Sequence, residues 1–300
     1  MNQFVDIWVI GLAAAAIRYT TPLVLAGLGG LFSERSGIVN IALEGMMTAG
    51  AFFAIYGSDI TGNWVGGIVC AVLAGMFFAL LHALATVTFQ ADQIISGTAL
   101  ILIAAGLVNF LSISLYPASE GGTPADVSRP IQILGFDILV FVTIGLVFLT
   151  AFVIFRTPFG LRLRSVGEHP KAADTVGINV YKMRYTAVLI SGAFAGLGGA
   201  FLSFSVGSYT EGMVAGKGFI ALAALIFGKW NPFGVLAASL LFGASQALAD
   251  RLPNVTWLPD ALATPDLLTA LPYVITLIAL AGFVGVSRPP AAVGKPYVKG

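Results

Sequence analysis

Charge is scarce in this chain. Only 10% of its 300 residues are charged, whereas 58% are apolar. A water-soluble domain of this size needs a larger polar share to cover its surface, and a mean hydropathy of +0.94 excludes one. Cysteine is nearly absent. Cys70 stands alone, so no internal disulfide forms, and its apolar neighbours mark it as a small buried residue. Histidine occurs twice. His82 lies in an apolar run with no second His, Cys or carboxylate at metal-ligand spacing, which reads as a core histidine. There is no His-Glu-x-x-His pair and no recognisable Ser-His set, so an intramembrane hydrolase is a poor reading. The Gly-Lys pairs at 216–217, 228–229 and 294–295 all fail to complete Gly-x-x-x-x-Gly-Lys-Ser/Thr. The chain therefore has no P-loop with which to hydrolyse ATP. A net charge of +1 points to no nucleic-acid partner. The first residues carry no basic stretch of the kind that opens a secretory signal, so they read as the start of a first span.

What the chain has in plenty is long apolar blocks. About 20 apolar residues cross roughly 30 Å of hydrocarbon, and lipid forbids unsatisfied backbone groups, so the blocks predict helices. The fold class expected is all-α: a polytopic membrane bundle of about 8–10 transmembrane helices in a single domain over residues 1–300. The expected spans are 4–30, 37–57, 64–89, 93–115, 136–156, 183–206, 213–228, 231–249 and 270–287. Two are irregular. Arg18 and Thr20-Thr21-Pro22 stand where the first block could break in two, and 213–228 is short and glycine-rich, as a broken or re-entrant helix would be.

The cations fix the orientation. With the N-terminus outside, the inner segments hold Arg35, the basic loop, Lys229, Arg288, Lys295 and Lys299, while the outer ones hold only Arg129 and Arg251. The lipid bilayer is thus the first partner. Small residues repeat at helical spacing in the sixth span: Gly192, Gly196 and Ala200 on one stripe, Ala195 and Gly199 on another. Such stripes let helix backbones touch.

The basic loop, 157–182, lies within a run that holds Arg156, Arg162, Arg164, Lys171, Lys182 and Arg184. Pro170 suits the first turn of a helix, Ala172 and Ala173 favour one, and Gly177 can end it. The expected product is a short helix on the inner side with its small residues turned outward for another protein to pack against. A solvated loop with no partner is the plain alternative, although the loop is longer than ordinary connections.

Polar residues within the spans are candidates for a solute pathway, because ionisable groups at membrane depth face protein or a water-filled cavity. Asn40 and Glu44 are four apart, which on a helix shares one face. Glu44 serves either the fold or the pathway. Lys217 lies between two glycines. Asn109 and Phe204 approach the outer ends of their spans, where a sugar or nucleoside would find hydrogen-bonding and aromatic partners, and where aromatic anchors are also ordinary.

Lys171-Ala172-Ala173-x-x-x-Gly177 resembles the coupling loop of ATP-binding-cassette (ABC) importer permeases, departing from Glu-Ala-Ala-x-x-x-Gly at Lys171. Gly167-Glu168-x-Pro170-x-Ala172-Ala173-x-x-x-Gly177 is similar to the variant found in the branched-chain amino acid, ribose and nucleoside permease superfamily. The blocks 32–47, 91–98 and 216–232 resemble its nucleoside and simple-sugar subgroup. The resemblance implies that Arg162, Arg164, Gly167, Glu168, Pro170, Ala172, Ala173 and Gly177 couple the chain to ABC ATPase subunits. It further implies a second homologous permease and an external substrate-binding lipoprotein in a bacterial plasma membrane. ATP and magnesium would reside on the partner subunits, with no cofactor bound by this chain. A nucleoside is the solute implied first, then a simple sugar or a branched-chain amino acid. An ion-driven secondary transporter, which would use ionisable residues on broken helices, stays open on the residues alone.

Overall fold

The computed structural model describes residues 2–117, 123, 127–252 and 287–299, with isolated positions 270, 274, 275 and 278. The expected span 270–287 lies largely outside these residues. Among the described residues, six helices are long and apolar enough to cross a membrane.

Helix α1 (Asn2–Arg35) is continuous through Pro22, so the first block is one helix and not two. The Thr20 and Thr21 hydroxyls bond back to the carbonyls of Ala16 and Ile17 at 2.7 and 2.8 Å and reinforce the turn around the proline. Such local bonds are how lipid-embedded helices tolerate proline. α2 (Leu43–Thr61), α3 (Trp64–Ala83, ending in a π-helical turn over Leu84–Thr88) and α4 (Gln93–Leu115) follow. A small antiparallel hairpin, β1 (Gln132–Ile133) with β2 (Phe136–Asp137), pairs Gln132 with Asp137 and Ile133 with Phe136. Then come α5 (Ile138–Arg156), α6 (Pro158–Glu168), α7 (Pro170–Thr175), α8 (Val180–Val206), α9 (Lys217–Phe227) and α10 (Pro232–Arg251).

α8 is the central post, packed on α1, α2 and α3. Its small residues set that position. A Cβ on Gly196 would strike the Ala71 carbonyl of α3, and one on Gly199 would strike Met47 of α2. Both expected stripes are therefore packing faces. α4 and α5 lie outside and present Leu102, Ile103, Phe110, Phe148, Leu149 and Phe152 outward, as lipid-facing helices do.

Hydrogen bonds gather the loops at two ends. At one, the Ala292 N–H donates to Gly167 O (2.8 Å), Gly294 N–H to Gly37 O (3.1 Å) and Arg35 Nη2 to Trp230 O (2.6 Å). At the other, Ser58 Oγ donates to Ser128 O (2.7 Å), Thr123 N–H to Tyr209 O (3.1 Å) and Tyr19 to Asp250. The segments counted as inner and outer from their cations fall at opposite ends.

Two expected spans change. The second begins at Leu43, because residues 37–42 form an irregular corner. Gly37, at φ +96°, turns the chain there, and side chains satisfy its backbone: Ser33 Oγ donates to Ile38 O (2.7 Å), while Gln93 Oε1 accepts from Val39 N–H (2.7 Å). Asn40 is in the corner, so it does not share a helical face with Glu44. The seventh is helical only from Lys217. Ala221 O adjoins Gly27, eight residues before Arg35, so α9 starts roughly 18 Å above the inner end of α1, near the middle of the bilayer. Residues 207–216 descend to that depth as irregular backbone.

Candidate coupling platform and membrane site

The inner platform begins at Thr157, whose hydroxyl accepts from Gly160 N–H at 3.2 Å and caps α6, with Pro158 in the first turn. Leu163, Val166 and Gly167 face inward, and Leu161, Arg162 and Glu168 face outward. Gly167 is packed directly on the Arg35 carbonyl, where a Cβ has no room. Arg162 and Arg164 part company. Arg164 folds back, with its guanidinium 5.5 Å from the Phe155 ring centroid and Nε 3.4 Å from Gly160 O, whereas Arg162 is exposed.

α7 starts on Pro170 and stops at Gly177, whose φ of +85° favours glycine. Gly177 N–H donates to Asp174 O (2.9 Å) and Ile178 N–H to Ala173 O (3.0 Å), the paired bonds of a Schellman ending. The expectation that both alanines point outward is corrected. Ala172 is exposed, but Ala173 is 4% exposed and packs with Val166, Val180 and Tyr297. The outward face consists of Lys171, Ala172, Thr175, Val176 and Gly177, with Val176 74% exposed.

Clefts flank this ridge. One, of about 630 Å³, runs along Phe159, Arg162, Val176, Asn179 and Lys182. The other, of about 480 Å³, lies between Glu168-His169-Pro170-Lys171-Ala172 and the C-terminal segment 291–298. That segment was visible in the sequence only as inner-side cations, yet it forms a wall of the platform. Glu168 Oε2 accepts from Ala291 N–H at 3.2 Å. Arg184, named in the sequence only as one of the cations of the basic run, is 1% exposed. Its Nε donates to Ser36 O and its Nη1 to Lys295 O, both at 3.2 Å, and it lies 6.0 Å from the Tyr297 ring centroid. Tyr181 and Tyr297 pack edge to face beside it. The segment thus ties α6, α8 and the 37–42 corner together. A single chain shows no alternation or partner pattern by which Arg184 could be told from its exposed neighbours.

Deeper in, Glu44 settles the start of α9. Its Oε1 accepts from Gly216 N–H (2.7 Å) and its Oε2 from Gly218 N–H (2.6 Å). Gly218 allows this approach, since a Cβ there would be 2.5 Å from Glu44 N. Carboxylate oxygens at the first N–H groups of a helix satisfy them and suit its dipole. Lys217 points back to the carbonyls of Met213 (3.2 Å) and Val214 (3.1 Å).

The remaining pathway candidates do not meet at this point. Asn40 is buried and donates to Ser191 Oγ at 2.9 Å, leaving Oδ1 without a partner among the described residues. Asn109 donates to Glu211 Oε1 at 3.1 Å and links α4 to the descending segment. Phe204, 2% exposed, is part of the core against α3. His82 is a satisfied core histidine, with Nε2 3.0 Å from Val39 O and Nδ1 3.3 Å from Ser96 Oγ.

The family described as branched-chain amino acid transport system / permease component matches residues 12–280. The chain belongs to this permease family. Among its relatives, the guanosine ABC transporter permease protein NupQ of Bacillus subtilis (strain 168) is 42% identical over 95% of this chain and 96% of its own length. The nucleoside ABC transporter permease protein NupC of Lactococcus lactis subsp. cremoris (strain MG1363) is 41% identical over 96% of each chain. The putative glucose ABC transporter permease protein TsgC13 of Haloferax volcanii is 33% identical over 90% of each. The permease is a multi-pass membrane protein whose helical bundle places α6, α7 and the C-terminal segment at one end and the α9 start near mid-depth.

Proposed function

We propose that this permease is the membrane subunit of an ATP-driven importer of nucleosides in the bacterial plasma membrane. The observation that carries the coupling is the α7 ridge: a short helix with an exposed apolar tip at Val176, set between two clefts on the cation-rich end. An ATPase surface docks over that ridge, with Arg162 and Lys171 available to acidic side chains. ATP and magnesium sit on the ATPase subunits and no cofactor sits on this chain. A second permease completes the pathway, and an external lipoprotein delivers the solute. The chain is one domain from 1 to 300. The names of the relatives at 41% and 42% identity support a nucleoside as solute.

Force from the ATPase has a defined route. α7 is joined to α6 through His169, α6 meets α1 through Gly167 and Arg35, and the C-terminal segment ties both to the corner before α2. An ion-driven mechanism would call on Glu44, and its two carboxylate oxygens are already held by backbone donors. The test is reconstitution in proteoliposomes with the ATPases and binding protein. Ala172→Trp should lower nucleoside uptake at least tenfold while leaving the permease folded and ATP hydrolysis by the ATPases measurable. Full uptake by that variant would refute coupling through α7.

A further inference from the structure

Above the start of α9, the outer parts of α1, α8 and α10 and the 207–216 segment enclose a cleft of about 520 Å³. Ligand sites commonly measure ~300–1,000 Å³. The ionisable lining of this one is one-sided: Arg18, Lys217 and Arg251, with Tyr19 and the hydroxyls of Ser205 and Thr210 between them. Arg18 lies 17 residues before Arg35 on α1, roughly 25 Å above the inner end, and Lys217 is deeper still. Arg18 is thus close to the outer boundary, whereas a cation at the depth of Lys217 does not face hydrocarbon but protein or water. The cleft is therefore wet or covered by another protein.

Carboxylates act on Arg18 and Lys217, and each is hydrogen-bonded within the protein, at or beside the cleft. Asp250 accepts from the Tyr19 hydroxyl and from Gln246 Nε2 at 3.0 Å. Asp137, which acts on Arg18, is hydrogen-bonded with Gln132 and with Ser205 of the cleft lining. Glu44, which acts on Lys217, holds Gly216 and Gly218. The cations keep donors in hand: Arg18 gives one N–H to Gly135 O at 3.2 Å out of the five a guanidinium offers. The Lys217 ammonium gives two of its three protons to Met213 O and Val214 O. The cleft offers donors, and ring surface from Tyr19.

We propose that this cleft is the outward-facing solute site, and that its remaining Arg18 and Lys217 donors take acceptor-rich, partly aromatic solutes. A nucleoside, with its ring nitrogens, carbonyls and ribose oxygens, has that chemistry. The assignment deepens the importer reading and rests on it.

The complete importer in proteoliposomes provides the test, with a tritiated purine nucleoside as solute. In a Cys70→Ala background, Ser205→Cys should react with a membrane-impermeant maleimide from the outer side. Saturating nucleoside should slow that reaction severalfold, and the modified protein should lose uptake. Ala14→Trp, which fills the cleft, and Arg251→Gln, which removes a donor, should each lower uptake at least tenfold. Wild-type uptake by Ala14→Trp and by maleimide-blocked Ser205→Cys would overturn the cleft while leaving the importer reading intact. No nucleoside uptake by the wild type would overturn the solute assignment itself.

Discussion

Among the described residues the helices are interrupted within the membrane region at 37–42 and at 207–216, and the two interruptions are secured differently. The 37–42 corner is held from many sides: Ser33, Gln93, His82 and Arg184 all bond its backbone or that of the residues just before it, and the C-terminal segment closes over Gly37. The 207–216 segment is held at its top by Thr123 and Tyr209 and at its base by Glu44. Irregular backbone at depth must be satisfied by protein or water. The corner spreads that task over several elements, whereas the base of the descending segment rests on two side chains, the Glu44 carboxylate for its N–H groups and the Lys217 ammonium for its carbonyls. The first arrangement suits a fixed joint, and the second suits a joint that few groups can release.

This difference ranks the expected effects of substitution. Glu44→Ala strips one buried and one part-buried backbone N–H group of a charged acceptor, and at ~1.5–3 kcal/mol for each such bond it should cost about 3–6 kcal/mol. Thermal unfolding in detergent would register the loss, and limited proteolysis should show new cutting in 207–216; an unchanged profile would break the contrast. Arg184→Ala should cost about 3 kcal/mol, the low end of the same range, because its two bonds to the carbonyls of Ser36 and Lys295 are longer, at 3.2 Å, and Gln93 and Ser33 still hold the corner. Hydrogen exchange should rise in 290–297 and stay low in 38–42. Equal exposure of both segments would mean that Arg184 and not the shared network fixes the corner. Smallest is Arg164→Ala, which loses a stacking contact on Phe155 at roughly 0.5–1 kcal/mol. A larger shift in its melting curve would show that α6 depends on that contact more than on Gly167.

Periodicity and charge made much of the fold legible. The apolar blocks located α3, α4, α5, α8 and α10 within a few residues, because a lipid-facing helix has little freedom in composition. The small-residue stripes of α8 were readable because only a missing side chain permits backbone contact. Pro170 and Gly177 marked α7 because their backbone constraints are local. What was hidden depended on distant partners. Counting cations gave the end at which Arg184 lies but not its burial, since the carbonyls that receive it come from residues 36 and 295. Ala172 and Ala173 are alike in sequence, and only the neighbouring Val166 and Tyr297 separate inner from outer. The helical reading of Asn40 failed because Gly37, Ser33 and Gln93 offer its loop enough bonds to forgo a helix.

The glycine contacts of α8 carry a mechanical consequence. Gly75 meets Gly192 and Gly196, and Gly50 meets Gly196, with no side chain between the main chains. Surfaces so bare have no rotamers to absorb a slide, so α2, α3 and α8 turn together as a solid spindle, and any rocking of the molecule must take up its strain in the elements wrapped around that axis.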